Sequence, residues 1–207
     1  MALPATDTFT TATDQALTAY SASWSNVNGV FYVYAAGDNV SPNSAVESAA
    51  RWNADTFAND QYAQAVVSSV TSEWVGVSVR CASGAANFYG FYTGTSGDAS
   101  YLFKVIGGTW TQLGSNGASV AAGNTIRLEA SGTSLTAYVG GTPSGIGTQT
   151  DGSISSGYAG LSGYGSLSSG HVVDNWEGGD IGGSSHVDLP AIDYSQHPKL
   201  RALARYA

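Results

Sequence analysis

From Gly29 onward the apolar positions come in short runs broken by Gly, Ser, Asn and Asp, and none settles into a helical repeat before residue 198. This predicts short strands joined by tight turns. Residues 30–34, Val-Phe-Tyr-Val-Tyr, are apolar on both faces as a central strand would be, and 35–39 close them with turn chemistry. Strands over 62–70 and 74–81, three residues apart, are expected to form an antiparallel pair. In 88–92, Phe-Tyr-Gly-Phe-Tyr, the central Gly90 points to a bulge or a close backbone approach. Residues 101–106 and 110–113 flank Gly107-Gly108-Thr109 as the clearest hairpin. A second hairpin joins 125–130 to 135–139, and there Ile126, Leu128 and Ala130 alternate with Arg127 and Glu129, predicting one buried and one wet face. Residues 157–167 read as a strand with bends and 171–176 as the last strand, with Gly178-Gly179-Asp180 and Gly182-Gly183-Ser184-Ser185 marking the end of the domain.

The pattern is that of an all-β, two-sheet antiparallel jelly-roll sandwich over 1–180, followed over 181–207 by a Gly/Ser linker and a C-terminal docking tail. In the tail Pro198 suits the first position of a short helix, and Leu200, Leu203 and Tyr206 recur every third residue. So short a helix forms only when docked on a surface. The expected contacts are burial of Leu200, Leu203 and Tyr206, with Arg201 and Arg205 meeting acidic groups on a protein partner.

Charge sharpens this division. Residues 1–180 hold 13 acids and 4 bases, a balance of −9, whereas 181–207 hold 2 acids and 3 bases, a balance of +1. The whole chain carries −8, which excludes the clustered Lys and Arg of a nucleic-acid-binding surface. Cys81 is the only cysteine, so no intrachain disulfide forms and the sandwich rests on packing. No apolar run approaches the ~20 residues that span a bilayer. The opening Met1–Asp7 lacks the basic and apolar regions of a secretory leader, so the expectation is assembly from a cytoplasm or removal of a leader.

Several stretches, taken in order, resemble the concanavalin A-like lectin and glucanase superfamily in its laminin-G-like branches. They are Asp7-Thr8-Phe9 with Leu17 and Trp24 near the start; 101–105 with Gly107-Gly108-Thr109-Trp110, 123–128 and 135–139 in the middle; and Val172-Val173-Asp174-Asn175-Trp176 at the close. The resemblance covers residues 5–180 and implies two curved antiparallel sheets with the last strand near the first. It implies no single function, because that architecture hosts lectins, glycosidases, adhesion modules and viral structural proteins. It also implies that a structural calcium would sit near Asp7 and Asp174, and otherwise no cofactor is expected.

The candidate chemistry follows from what the sequence contains. The glucanases of this superfamily carry Glu-x-Asp-x-x-Glu on one strand face; here Glu47, Glu73, Glu129 and Glu177 are scattered, and Glu129 reads as a solvated surface residue beside Arg127. His171, His186 and His197 lack zinc-site spacing, and no serine sits in a nucleophile elbow. Sugars are bound by stacking on aromatic rings, and Tyr89, Tyr92, Trp110 and Tyr164 are the glycan-binding candidates, whereas Trp24, Phe31, Trp74 and Trp176 are expected in the core.

The sequence therefore points first to a non-catalytic structural or decoration protein of an extracellular assembly, with a bacteriophage virion as the setting. Its tail would grip a capsid or tail protein, and its sandwich would display a surface-glycan site. The alternatives are a secreted carbohydrate-binding module and, less directly, a glycoside hydrolase-like domain.

Overall fold

The computed structural model describes residues 3–70, 74–94, 99–165 and 172–182. Its strands, in chain order, are β1 (Ala5–Asp7), β2 (Gln15–Ala16), β3 (Trp24–Asn28), β4 (Phe31–Tyr34), β5 (Asn39–Pro42), β6 (Ser44–Trp52), β7 (Gln61–Ser69), β8 (Trp74–Cys81) and β9 (Phe88–Thr93). They continue with β10 (Ser100–Ile106), β11 (Thr109–Gln112), β12 (Thr125–Ser131), β13 (Ser134–Val139), β14 (Thr142–Pro143), β15 (Gln149–Thr150), β16 (Tyr158–Gly165) and β17 (Val172–Asp180). One helical turn, α1 (Leu17–Tyr20), precedes β3.

One sheet runs β14-β13-β12-β7-β17-β5-β4-β2, with β1 beside β17 and β15 beside β13; the other runs β11-β10-β9-β8-β16-β6-β3. The neighbours pair antiparallel, as a two-sheet jelly-roll sandwich requires. The core lies between the sheets. Alternation turns Ala63, Ala65 and Val67 of β7 and Ile126, Leu128 and Ala130 of β12 inward, where they share one buried cluster with Val75, Val77 and Val79 of β8, Phe91, Leu102 and Leu161. Each large side chain so buried stabilises the fold by about 1.5–3 kcal/mol.

The last strand closes the sandwich beside the first, Asp7 pairing with Trp176. Asn175 adopts φ +50 where the β17 register on β7 shifts, and this bulge aims Trp176 into the core. There its indole packs 4.8 Å from Trp24 and 5.5 Å from Trp52, and its N–H donates across the layers to the Gly160 carbonyl at 3.1 Å.

A second bulge lies at the Cys81 end of β8. Cys81 pairs with Tyr158 and Ser78 with Gly160, so β8 carries one residue more than β16 between these pairs, and Arg80 takes φ +54. The bulge sends Arg80 inward under the loops and puts Cys81 on the outer face. Arg80 is 1% exposed. Its Nε donates to the Asn59 carbonyl (2.9 Å), Nη1 to that of Ile154 (3.0 Å) and Nη2 to that of Gly132 (2.8 Å), so one side chain ties three loops together.

Several sequence expectations change. β7 and β8 do not pair: they lie in different sheets and face each other across the core, because residue spacing fixes a chain reversal but not whether the reversal stays within one sheet. Gly90 is no bulge, since β9 pairs without register shift on both sides; a Cβ at Gly90 would lie 2.5 Å from the Tyr92 ring, so the glycine makes room for that ring. Gly178 and Gly179 do not end the last strand but pair within it, where side chains would collide with the rings of Trp176 and Tyr62. β4 is peripheral rather than central, flanked by β5 and the two-residue β2. β5 and β6 went unread for want of clear alternation, and the strands near Asp7 and Trp24 were legible only through the resemblance. The proposed tail contacts of Leu200, Arg201, Leu203, Arg205 and Tyr206 lie outside the described residues, as do all three histidines.

Candidate functional site on the outer face of the seven-stranded sheet

A sheet packed on a core through one face ordinarily presents polar residues on the other. The seven-stranded sheet does not. Its pairing register sets three rows of outward residues side by side. One row runs Phe103, Gly90, Ser78, Gly160, Arg51; the next Tyr101, Tyr92, Gly76, Ser162, Ala49; the third Trp74, Tyr164, Glu47. Trp110, paired with Val105 on the edge strand β11, adds a further ring.

The result is a middle stretch of small residues, Gly76, Ser78, Gly160, Ser162 and Ala49, all of them buried, with aromatics toward one edge and charge toward the other. On the aromatic side Trp74 stacks on Tyr101 (centroids 5.1 Å apart, planes at 13°), and Trp110 lies 4.9 Å from both Tyr92 and Phe103. Below these rings Ala49, Cys81, Phe88, Tyr92 and Val105 form a second buried cluster, separate from the core between the sheets. On the charged side Glu47 and Arg51 project from β6, the Arg51 guanidinium 4.5 Å above the ring of Tyr158. The indole N–H of Trp110 is buried with no hydrogen-bond partner among the described residues. Burial pushes the Tyr92 phenol well above its usual range, the Ser162 hydroxyl opposing this only in part, and pushes the Cys81 thiol up to about 12, so that sulfur is a packing group rather than a nucleophile.

The four aromatic candidates fall in different places. Trp110 and Tyr164 lie on this outer face, Tyr164 being 44% exposed. Tyr92 lies on the same face but is fully covered, as a floor for the rings above it. Tyr89 points the other way, into the core; its hydroxyl donates to Asp151 Oδ1 (2.7 Å) and accepts the Ile154 N–H (3.0 Å), which makes it a structural tie. Trp74, expected in the core, is instead half-exposed at the centre of the aromatic group. Sequence reading missed Trp74, Tyr101, Phe103, Glu47 and Arg51. The run 101–105 did hold a signal, because a strand apolar on both faces one place from a sheet edge has an apolar face outside the core.

Acidic groups behave differently from the expectation. Asp7 does face the last strand, yet its Oδ1 accepts the Phe9 N–H and the Tyr20 hydroxyl and its Oδ2 the Trp24 indole, each at 2.8 Å. Asp174 accepts from its neighbour Asn175, and its pKa is raised by burial, with Asp38 and Asp7 adding to the effect. No group of three or more Asp, Glu, His or Cys able to hold a metal occurs among the described residues. Carboxylate lone pairs turned toward N–H and O–H donors do not fit the open, oxygen-rich shell that calcium takes. Glu129 is not free in solvent: it accepts from Arg127 Nε at 2.7 Å and is 27% exposed. In the three rows described above, Glu47 is the only carboxylate.

The sequence matches no family model and no curated protein sequence. Solved structures do match its fold. The carbohydrate-binding module CBM66 from Bacillus subtilis is 17% identical with a TM-score of 0.54, the match covering 77% of this chain and 93% of that one. A Bacillus subtilis protein of unknown function with a galectin-like fold is 11% identical with a TM-score of 0.57, over 85% and 94%. The exoplasmic/lumenal domain of VIP36, in its Ca²⁺-bound form, is 14% identical with a TM-score of 0.50, over 79% and 86%. The fold is thus a concanavalin A-like, lectin-type β-sandwich.

Proposed function

We propose that this chain is a non-catalytic carbohydrate-binding module whose ligand lies across the outer face of the seven-stranded sheet. The observation that carries the reading is the division of that face: the partly exposed rings of Trp74, Tyr101 and Trp110 at one side, and Glu47 and Arg51, also partly exposed, at the other. A sugar presents apolar C–H faces and hydroxyl edges, which suit stacking and charge-assisted hydrogen bonds respectively. Hydrolysis needs two carboxyl groups flanking one bond, and the rows of this face supply one. The lectin-type fold supports the same reading by analogy.

The test is a glycan array probed with the whole chain, followed by calorimetry on the best ligand. Trp110→Ala and Trp74→Ala are each expected to weaken binding about tenfold, the scale of one lost aromatic contact. Tyr164→Ala, at an exposed position that leaves the fold alone, should weaken it less. An array without reproducible binders, or affinity unchanged in both tryptophan variants, would overturn the proposal.

A role in an extracellular assembly such as a phage particle, with the module displayed and residues 187–207 gripping a capsid or tail protein, rests on the reversal of charge between the two segments and on Leu200, Leu203 and Tyr206. Among the described residues no helix is long and apolar enough to cross a membrane. Removing 187–207 should leave a folded, glycan-binding monomer that no longer joins its assembly; unaltered assembly would count against this role.

A further inference from the structure

The opposite surface of the sandwich carries a second arrangement, independent of the aromatic face. On the outer side of the ten-stranded sheet a cleft of about 250 Å³ is lined by Gln64, Thr125, Arg127, Glu129, Tyr138 and Gly141. Pairing register places Arg127 between Gln64 of β7 and Tyr138 of β13. The guanidinium is held from several sides: its carbon sits 3.5 Å from the centroid of the Tyr62 ring, Nε donates to Glu129 Oε1 at 2.7 Å, and Nη1 donates to Gln64 Oε1 at 3.0 Å. Tyr62 is fixed in turn by donating its hydroxyl to Glu177. Burial, with Glu177 adding, pushes the Tyr62 phenol up to about 12, and burial together with Glu129 raises that of Tyr138, so both stay hydrogen-bond donors at neutral pH.

We propose that this cleft is a second binding site, for one ring of a neutral sugar or a similar polyol. Three features select that ligand. The volume lies below that of pockets for drug-sized molecules and suits a single ring. The lining alternates donors and acceptors, from Arg127, Tyr138 and Thr125 to Glu129 and Gln64, as vicinal hydroxyls demand, and Arg127 is already locked, so little ordering remains to oppose binding. One cation, Arg127, stands with two carboxylates, Glu129 and Glu177, so the local charge disfavours uronic acids and sulfated sugars. At the rim Gly141 presents no side chain, and a Cβ built there would meet nothing within 4 Å, which leaves the mouth open.

With both sites occupied the chain grips glycan from two opposite faces. Two-faced attachment raises avidity toward a dense glycan layer without tightening either site.

The site is tested by backbone-amide NMR of the ¹⁵N-labelled full chain titrated with methyl α-D-glucopyranoside, methyl α-D-mannopyranoside and methyl β-D-galactopyranoside, with D-glucuronate as charged comparator. At least one neutral glycoside is expected to cause saturable shifts at Gln64, Arg127, Glu129 and Tyr138. Glucuronate should cause none. Arg127→Gln should weaken this binding by about tenfold or more, and Tyr138→Phe, which removes one hydroxyl and keeps the packing, by less. Trp110→Ala should leave the cleft shifts in place. Absence of shifts with all three neutral probes, equal or stronger binding of glucuronate, retention in Arg127→Gln, or loss in Trp110→Ala would each overturn the proposal. The aromatic-face reading fails separately, through an array without reproducible binders or affinity for the array ligand unchanged in Trp74→Ala and Trp110→Ala.

Discussion

Replacing Arg80 with alanine is expected to lower the folding free energy by about 3–5 kcal/mol, the scale of three carbonyl acceptors deprived of their donors. The side chain is almost fully enclosed and its three donor nitrogens meet the carbonyls of Asn59, Ile154 and Gly132. Alanine leaves three acceptors buried or half-buried without donors and opens a void where three loops converge. Lysine keeps the charge but lacks the planar fork, so Arg80→Lys should still lose a large part of this stability. Arg80→Gly separates side chain from backbone: at φ +54 glycine is unstrained whereas alanine is not, so the glycine variant should be more stable than alanine by up to about 1 kcal/mol. Urea unfolding of the three variants reads these differences. A loss below about 1 kcal/mol for Arg80→Ala would show that the loops hold themselves.

The same end of the sandwich should be the first to loosen in acid. Asp151 accepts from Lys104 Nζ at 2.6 Å, from the Tyr89 hydroxyl at 2.7 Å and from the Ser153 N–H at 2.8 Å. Burial alone would raise its pKa, but these donors outweigh it and hold the carboxyl well below the usual range. A carboxylate depressed on folding stabilises the native state above its unfolded pKa, about 4, and that stabilisation is lost as pH falls from there toward the folded value. Asp151→Asn is therefore expected to cost about 2–3 kcal/mol at pH 7, with Lys104 and Tyr89 left short of an acceptor. The gap between wild type and variant should shrink on going from pH 4 to pH 3. A gap that stays constant from pH 7 to pH 3 would rule out this carboxylate as the source of acid sensitivity.

These two ties also show how far the chain could be read unaided. The hairpin predicted over 101–106 and 110–113 is β10 and β11, and the one predicted over 125–130 and 135–139 is β12 and β13, each within a residue or two, because Gly-rich turns and strict alternation are local properties. Trp110 and Tyr164 were singled out and do lie on one outer face. Trp74, paired with Tyr164 and separated from Trp110 by β9 and β10, was assigned to the core, since a tryptophan in an apolar strand carries no mark of which side it faces. Tyr89 and Tyr92 differ only by alternation: one ties the core to Asp151 and the other floors the aromatic group. Arg80 went unnoticed because its role depends on a one-residue bulge, and a lone arginine at the end of a valine-rich strand looks like an ordinary surface charge.

What the amino-acid sequence determined by itself was therefore the class of structure: strands rather than helices, their approximate edges, a single cysteine, a negative net charge, and a C-terminal segment of opposite charge balance. These follow from period-two alternation, turn chemistry and composition, which act over a few residues. The tertiary structure alone decided which strands share a sheet, which of two faces each aromatic occupies, and that Gln64, Arg127 and Tyr138, far apart in the chain, line one cleft. Those outcomes hang on register and on single-residue bulges. A shift of one position there turns a side chain from the core to the solvent, and no local pattern records it.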